Sequence, residues 1–155
     1  MNILVLSDSH GNLSNMIQAV EDTSPRMIVH LGDCWGDAVK LHDRFPDIPF
    51  HHVPGNCDFR LEESPEKLIF VSDLRILLCH GHTYGVKSSL LTAGYAAEEQ
   101  NLDVFLFGHT HRPLVDRRGK TLFLNPGSIG DYRQPTYGIV TIENGKADAR
   151  IVPLQ

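Results

Sequence analysis

The sequence has no apolar run long enough to cross a bilayer, which takes about 20 consecutive apolar residues. Its first apolar run, Ile3–Leu6, is soon followed by Asp8, which is not the pattern of a signal peptide. We therefore expect no membrane partner. Cysteine is also scarce: 3 residues, an odd number without paired spacing, argue against a disulfide framework and favour a reducing, cytoplasmic setting.

Positive charge is in short supply as well. Lys and Arg total 14 against 19 Asp and Glu, which gives a net charge of −5 at pH 7. Nucleic-acid-binding proteins usually carry a basic stripe, whereas the densest basic cluster here, Arg117-Arg118 with Lys120, has the pattern of a hairpin turn. We therefore expect no nucleic-acid partner. A phosphate substrate is not excluded, because two bound divalent cations would dominate the local field.

What the sequence does contain is a regular succession of short apolar strands and amphipathic helices. Strand and helix patterns alternate in the first half, which indicates parallel βαβ units. Turn signals such as Ser72-Asp73 and Asn144-Gly145 predict hairpins in the second half. The predicted strands are Ile3–Leu6, Met27–Leu31, Phe50–Val53, Leu68–Val71, Leu74–Cys79, Val104–Phe107, Leu114–Asp116, Thr121–Leu124, Gly138–Ile142 and Ala147–Val152; the predicted helices are Leu13–Val20, Asp37–Phe45 and Ser88–Gln100. We expect one domain, residues 1–155, with two sheets packed face to face and helices outside.

Five short motifs, each following a predicted strand, contain residues that can bind a metal ion. They are Asp8-Ser9-His10, Gly32-Asp33, Gly55-Asn56, His80-Gly81-His82 and Gly108-His109-Thr110-His111. Open α/β sheets place their sites at the carboxyl ends of strands. Each motif alone has an ordinary explanation as a turn or a cap. All five in this arrangement predict one pocket for one or two divalent transition-metal ions.

The spacing of these residues suits two ions rather than one. Residues i and i+2 of an extended chain point the same way, so Asp8 and His10 can bind one ion, and His109 and His111 share that spacing. The full ligand set is too large for one tetrahedral site, and the carboxylate of Asp33 can bridge two. Two ions about 3.5–4 Å apart are the usual device for phosphate ester hydrolysis, with a bridging hydroxide that attacks in line.

The motifs, in order DSH, GD, GNCD, HGH and GHTH, resemble those of the calcineurin-like metallophosphoesterase superfamily, and in particular its small YfcE/MJ0936-type phosphodiesterases. The resemblance runs from Asp8 to the Asn125–Ser128 segment and implies a four-layered α/β sandwich of two mixed β-sheets flanked by helices. The ligands that it implies are Asp8, His10, Asp33 and His111 for the first ion, and Asp33, Asn56, His80 and His109 for the second. It also implies Mn²⁺ as the preferred ion, with Ni²⁺, Fe²⁺ or Zn²⁺ as alternatives, and a small phosphodiester as the substrate.

One position departs from the family's pattern. Many members have a histidine where this chain has Cys57; that histidine contacts the phosphate and is a candidate proton donor to the leaving group. A neutral thiol is a poor substitute, which favours substrates such as aryl esters that need no such donor. His82 takes over that role, supports the metal ligands or has a purely structural role. The predicted catalytic residues are Asp33, Asn56, His80 and His82.

Several neighbouring residues have simpler interpretations. His30 lies inside an apolar strand and is expected to be a core histidine, and His42, His51 and His52 lack ligand spacing. Asp58 is expected to orient its neighbours rather than bind metal. The loops expected to line the pocket rim and set specificity are Phe59–Pro65 and His82–Ser88.

Two other functions are compatible with the fold. One is a phosphomonoesterase, and the other is a protein-interaction scaffold similar to Vps29. A complete set of metal ligands argues against a scaffold, whose site would be degenerate. Edge strands in the β-rich final third also suit a homodimer or a higher homo-oligomer.

Overall fold

The computed structural model describes residues 1–58 and 62–155, which form ten strands, three α-helices and one 3₁₀ helix. The strands are β1 (Asn2–Leu6), β2 (Met27–His30), β3 (Phe50–His52), β4 (Glu66–Val71), β5 (Leu74–Cys79), β6 (Val104–Leu106), β7 (Leu114–Arg118), β8 (Thr121–Asn125), β9 (Thr136–Glu143) and β10 (Lys146–Pro153). The helices are α1 (Leu13–Thr23), α2 (Trp35–Arg44) and α3 (Leu91–Glu99), and the 3₁₀ helix is His82–Tyr84. Part of the predicted rim loop Phe59–Pro65, residues 59–61, lies outside the described residues. None of the helices described has the length and apolar character that crossing a membrane requires.

The strands form two five-stranded sheets, and both are mixed. The first has the order β10-β9-β1-β2-β3, in which β1, β2 and β3 are parallel and β9 and β10 are antiparallel neighbours. The second has the order β4-β5-β6-β8-β7, with β5, β6 and β8 parallel between antiparallel edges. The carboxyl ends of the parallel strands carry the five motifs.

Alternate residues of β1 show how the layers are arranged. Ile3 and Val5 belong to a core shared with Ile76 and Val104 of the second sheet, which places the two sheets face to face. Leu4 and Leu6 pack on the other side, in a cluster that contains residues of α1 and α2. A third cluster joins the outer face of the second sheet to α3. The predicted four-layered sandwich is confirmed.

Local sequence signals correctly predicted the cap of α1 and two hairpins, but not the start of α3. The Asn12 side chain accepts a hydrogen bond from the Asn15 N–H and caps α1. The predicted hairpins at Ser72-Asp73 and Asn144-Gly145 are present. The helix predicted from Ser88 begins only at Leu91; Ser88 and Ser89 belong to a preceding turn, in which both of their N–H groups bond to the Gly85 carbonyl.

Candidate metal centre

Asp8 lies at the middle of the candidate centre, and the protein uses only one of its two carboxylate oxygens. Its Oδ2 accepts hydrogen bonds from the Ser7 hydroxyl at 2.6 Å and from the His109 N–H at 3.1 Å. Its Oδ1 is buried and, within the described residues, has no hydrogen-bond partner. A buried carboxylate oxygen without a partner is costly, so Oδ1 fits a cation.

Three imidazoles face that oxygen. Asp8 Oδ1 lies 3.1 Å from Nε2 of His111 and 3.8 Å from Nε2 of both His10 and His80. Donor atoms about 2.0–2.2 Å from one ion lie roughly 3–3.6 Å apart in tetrahedral geometry. The His10 and His111 side chains are about half exposed, whereas Asp8 and His80 are buried. The centre is therefore anchored inside and open on one side.

Asp33 supplies the second carboxylate. Its Oδ1 accepts the Cys57 N–H at 2.9 Å, and its Oδ2 lies 3.4 Å from Nε2 of His80. Burial raises the pKa of Asp33, but hydrogen bonds from His80 and Cys57 outweigh burial and hold that pKa well below its usual range. Asp33 is therefore an ionised carboxylate at neutral pH, as a metal ligand must be.

The ring of His80 is oriented by the backbone. Its Nδ1 lies 2.8 Å from the Leu31 carbonyl oxygen, which can only accept, so Nδ1 carries a proton. Nε2 is then the nitrogen that faces both carboxylates. A backbone carbonyl on the far nitrogen is the usual arrangement of a metal-binding histidine.

His109 approaches the same point from the second sheet. Its Nδ1 lies 3.2 Å from Nε2 of His80, a separation suited to two ligands of one ion. Burial is the main cause that lowers the pKa of His109 to about 4, followed by the charges of His80 and Lys87. The ring of His82 lies 6.1 Å from that of His109 and 5.7 Å from that of His80. His82 thus borders this side of the centre.

Asn56 lies on an exposed turn beside Asp33. The preceding residue, Gly55, packs so closely that a Cβ there would lie 2.1 Å from Asp33 Oδ1. The following residue, Cys57, gives its N–H to that same oxygen. Asn56 is therefore the middle residue of the turn that holds Asp33.

Two clusters of donor atoms result, and they share Asp8. One contains Asp8, His10 and His111; the other contains Asp8, Asp33 and His80. His109 joins the second cluster through His80. The resemblance implies Asp33 as the bridging residue, whereas in this geometry the carboxylate common to the two clusters is that of Asp8.

Some residues of the centre had no signal in the sequence. Ser7 fixes Asp8, as described above, but a serine before an aspartate is unremarkable. The backbone also departs from expectation, since several non-glycine residues have a positive φ: 55° at Asp8, 43° at His10, 52° at Asp33, 71° at His109 and 62° at His111. Few non-glycine residues adopt such values, and those that do concentrate at functional sites.

Asp58 behaves as expected. Its carboxylate accepts hydrogen bonds from the N–H groups of Asp33 at 3.0 Å, Trp35 at 2.8 Å and Gly55 at 2.8 Å. It therefore ties the Asp33 turn to the start of α2 and to the Gly55 turn. This agrees with the predicted orienting role.

His30 is also a core histidine as expected. It is fully buried, and its Nδ1 accepts the Gly32 N–H at 3.2 Å. Its Nε2 therefore carries a proton and lies 3.0 Å from the Ser9 hydroxyl, which in turn donates to Asp37. Both nitrogens have partners, and the chain of bonds fixes the loop that carries His10.

The chain is similar to a known protein family and to several of its members. A model of the calcineurin-like phosphoesterase superfamily domain matches residues 1–145. The chain is 39% identical to the probable metallophosphoesterase YsnB of Bacillus subtilis over 158 residues, with 97% of this chain and 89% of YsnB aligned. It is 26% identical to the phosphodiesterase YfcE of Escherichia coli over 153 residues, with 83% and 79% aligned.

Among solved structures, a single mutant of Vps29 from Entamoeba histolytica superposes with a TM-score of 0.77 over 100% of both chains. The sequence identity is 20%, so this likeness shows the shared fold alone.

Proposed function

The chain belongs to the calcineurin-like phosphoesterase superfamily and is a phosphoric ester hydrolase, and on this premise we propose that it is a metal-dependent phosphodiesterase acting on small substrates. The observation that carries the proposal is the buried, unpartnered Oδ1 of Asp8, which faces three imidazoles. Such an arrangement is unfavourable unless a cation binds there.

We propose that two divalent ions bind to this centre. The proposed ligands are Asp8, His10, Asp33, Asn56, His80, His109 and His111. The ions would supply positive charge to the phosphate oxygens and an activated water as the attacking group. The protein's part is orientation: Ser7 fixes Asp8, and the Leu31 carbonyl fixes His80. Mn²⁺ is the proposed ion on the strength of the family resemblance; the carboxylate and amide ligands suit it, and the imidazoles also suit Ni²⁺, Fe²⁺ or Zn²⁺.

The residue at position 57 favours esters with a good leaving group. Cys57 is exposed on the turn beside Asp33, and burial together with the Asp33 carboxylate raises the pKa of its thiol. A thiol with a raised pKa is a weak proton donor, so a good leaving group is favoured. His82 is the remaining imidazole beside His80 and His109, and we propose it as the residue that assists poorer leaving groups.

The cellular compartment, the partners and the oligomeric state of the enzyme remain predictions. All three cysteines are free in the described chain, which suits a reducing, cytoplasmic setting. The partner that we propose is a small phosphate ester. We expect the protein to bind neither nucleic acid nor a membrane. A homo-oligomer formed through edge strands also stays a prediction.

The test compares hydrolysis of bis-p-nitrophenyl phosphate with that of p-nitrophenyl phosphate, using chelator-stripped protein with and without Mn²⁺. We expect Mn²⁺ to restore cleavage and the diester to be the faster substrate. Faster cleavage of the monoester would make the protein a phosphomonoesterase, with His82 as the first candidate acid. Inactivity with Mn²⁺, Ni²⁺, Fe²⁺ and Zn²⁺ alike would contradict the proposal and favour a scaffold related to Vps29.

A further inference from the structure

A groove is lined in part by Thr110, the residue between His109 and His111. Its volume is about 590 Å³, within the range of roughly 300–1,000 Å³ typical of small-molecule sites. It is lined by the apolar side chains of Val86, Leu90, Phe107 and Leu114 and by the cations Lys87 and Arg112. None of these residues belongs to the metal centre.

The loop from Gly108 to Arg112, which carries the two histidines and contributes Thr110 and Arg112 to the groove, is held in place. Nδ2 of Asn125 donates to the Gly108 carbonyl at 3.0 Å and to the Thr110 hydroxyl oxygen at 2.9 Å. The Arg112 N–H donates to the same hydroxyl oxygen at 3.1 Å. The histidine loop is thus pinned to β8, so a ligand in the groove would have a defined position relative to the metal centre.

The chemistry of the groove is that of an apolar floor beside positive charge. Val86 and Phe107 are buried under it. Lys87 and Arg112 are exposed, and neither forms a salt bridge with any residue that the structure describes. Such a surface complements a ligand that has both an apolar ring and an anionic group.

We propose that this groove binds one ester group of the substrate, and that this group carries both an apolar ring and a second anionic group, as in a nucleoside with an additional phosphate. The inference rests on the proposed phosphodiesterase function and deepens it. Lys87 and Arg112 contact the second anion, and the apolar floor contacts the ring. They are specificity residues, because they act away from the scissile phosphate.

The experiment uses two substrates that differ by one phosphate: p-nitrophenyl thymidylate with and without a second phosphate on its sugar. Both release p-nitrophenolate, so the ratio of their kcat/KM values isolates the second anion. In the wild-type protein we expect the second phosphate to raise kcat/KM about 10-fold, the effect of one hydrogen bond to a charged group. Lys87→Met or Arg112→Met should bring the ratio close to unity.

Lys120→Met is the matched control, because Lys120 is an exposed lysine in the β7–β8 turn, at the other end of β7 from the groove. It should keep the wild-type ratio. Equal kcat/KM values for the two substrates in the wild-type protein would overturn the groove assignment while leaving the phosphodiesterase intact. If neither substrate is cleaved, calorimetric binding of thymidine bisphosphate still decides: binding weakened by Lys87→Met supports the groove, and undiminished binding overturns it.

Discussion

At the scale of single residues, Ser7 and the His109 N–H together determine which oxygen of Asp8 is available to a cation. The Ser7 hydroxyl holds Oδ2 and leaves Oδ1 facing the imidazoles. Ser7→Ala removes that bond and leaves the His109 N–H as the remaining donor to Oδ2, so the carboxylate is held less firmly. We expect the Mn²⁺ dissociation constant to rise about 10- to 100-fold, as is usual when a partner of a metal ligand is lost. Isothermal titration calorimetry on chelator-stripped protein measures it.

Ser14→Ala is the matched control, because the Ser14 hydroxyl is exposed and bonds only to Asn12. An affinity in Ser7→Ala equal to that of Ser14→Ala would show that Asp8 is held without the serine.

Asp33→Asn tests the second carboxylate with little change in shape. The asparagine oxygen can still accept the Cys57 N–H, so the turn should persist. The negative charge is lost, and we expect turnover at saturating Mn²⁺ to fall at least about 100-fold. The kcat for bis-p-nitrophenyl phosphate, with circular dichroism to verify folding, measures this. A near-wild-type kcat would remove Asp33 from the centre.

The residue types of the centre were predictable, but their supports were not. Asp, Asn and His after strand ends are chemically distinctive, so the sequence singles them out. Ser7 and the Leu31 carbonyl act through hydrogen bonds that join separate parts of the fold. Nothing in their local sequence distinguishes such a serine or carbonyl from any other. The sharing of Asp8 by two clusters likewise depends on how the loops meet.

At the scale of elements, the close contact of two turns at the strand ends should be as important as any ligand. Gly55 has an ordinary φ, but a Cβ there would meet Asp33 Oδ1 at 2.1 Å. We expect Gly55→Ala to displace Asp33 and to weaken Mn²⁺ binding at least about 10-fold. Titration calorimetry and thermal melting of the variant measure affinity and stability together.

Gly94→Ala is the matched control, because Gly94 lies within α3 and a Cβ there would meet nothing within 4 Å. We expect unchanged Mn²⁺ affinity and a gain of about 0.5–1 kcal/mol in the free energy of unfolding. Equal effects of the two substitutions on affinity would contradict the role assigned to the turn.

The strands were predictable from the sequence where both faces of the sheet are buried. Residues Ile3–Leu6 of β1 and all of β6 are apolar because each strand faces one core on each side, and such runs are recognisable without context. The start of α3 was not predictable, because Ser88 and Ser89 belong to a turn whose N–H groups bond to the Gly85 carbonyl, and their local sequence does not distinguish such a turn from the first turn of a helix.

At the scale of the whole molecule, His30 should make stability depend on pH. Burial is the main cause that lowers its pKa to about 4 from 6.5. Between these values the unfolded chain binds a proton that the folded chain does not. The free energy of unfolding therefore contains the full contribution of His30 above pH 6.5. It falls by about 3 kcal/mol as the pH decreases from 6.5 to about 4.

Urea unfolding at pH 7 and pH 4.5 tests this. His30→Gln should lose clearly less unfolding free energy between the two pH values than the wild-type protein does. His42→Gln, at an exposed position of α2, should behave as the wild-type protein does. Identical losses in all three proteins would contradict the assignment to His30.

The left-handed backbone at Asp8, His10, Asp33, His109 and His111 has a consequence for how the enzyme can fail. Each such residue holds about 1 kcal/mol of conformational energy that the sandwich must offset. Local unfolding of these loops releases that energy while both sheets and all three layers of core remain intact. Preparations with a native melting curve can therefore contain an inactive fraction. Protection of these amides from hydrogen exchange, rather than melting temperature, is the measure of how much enzyme is competent.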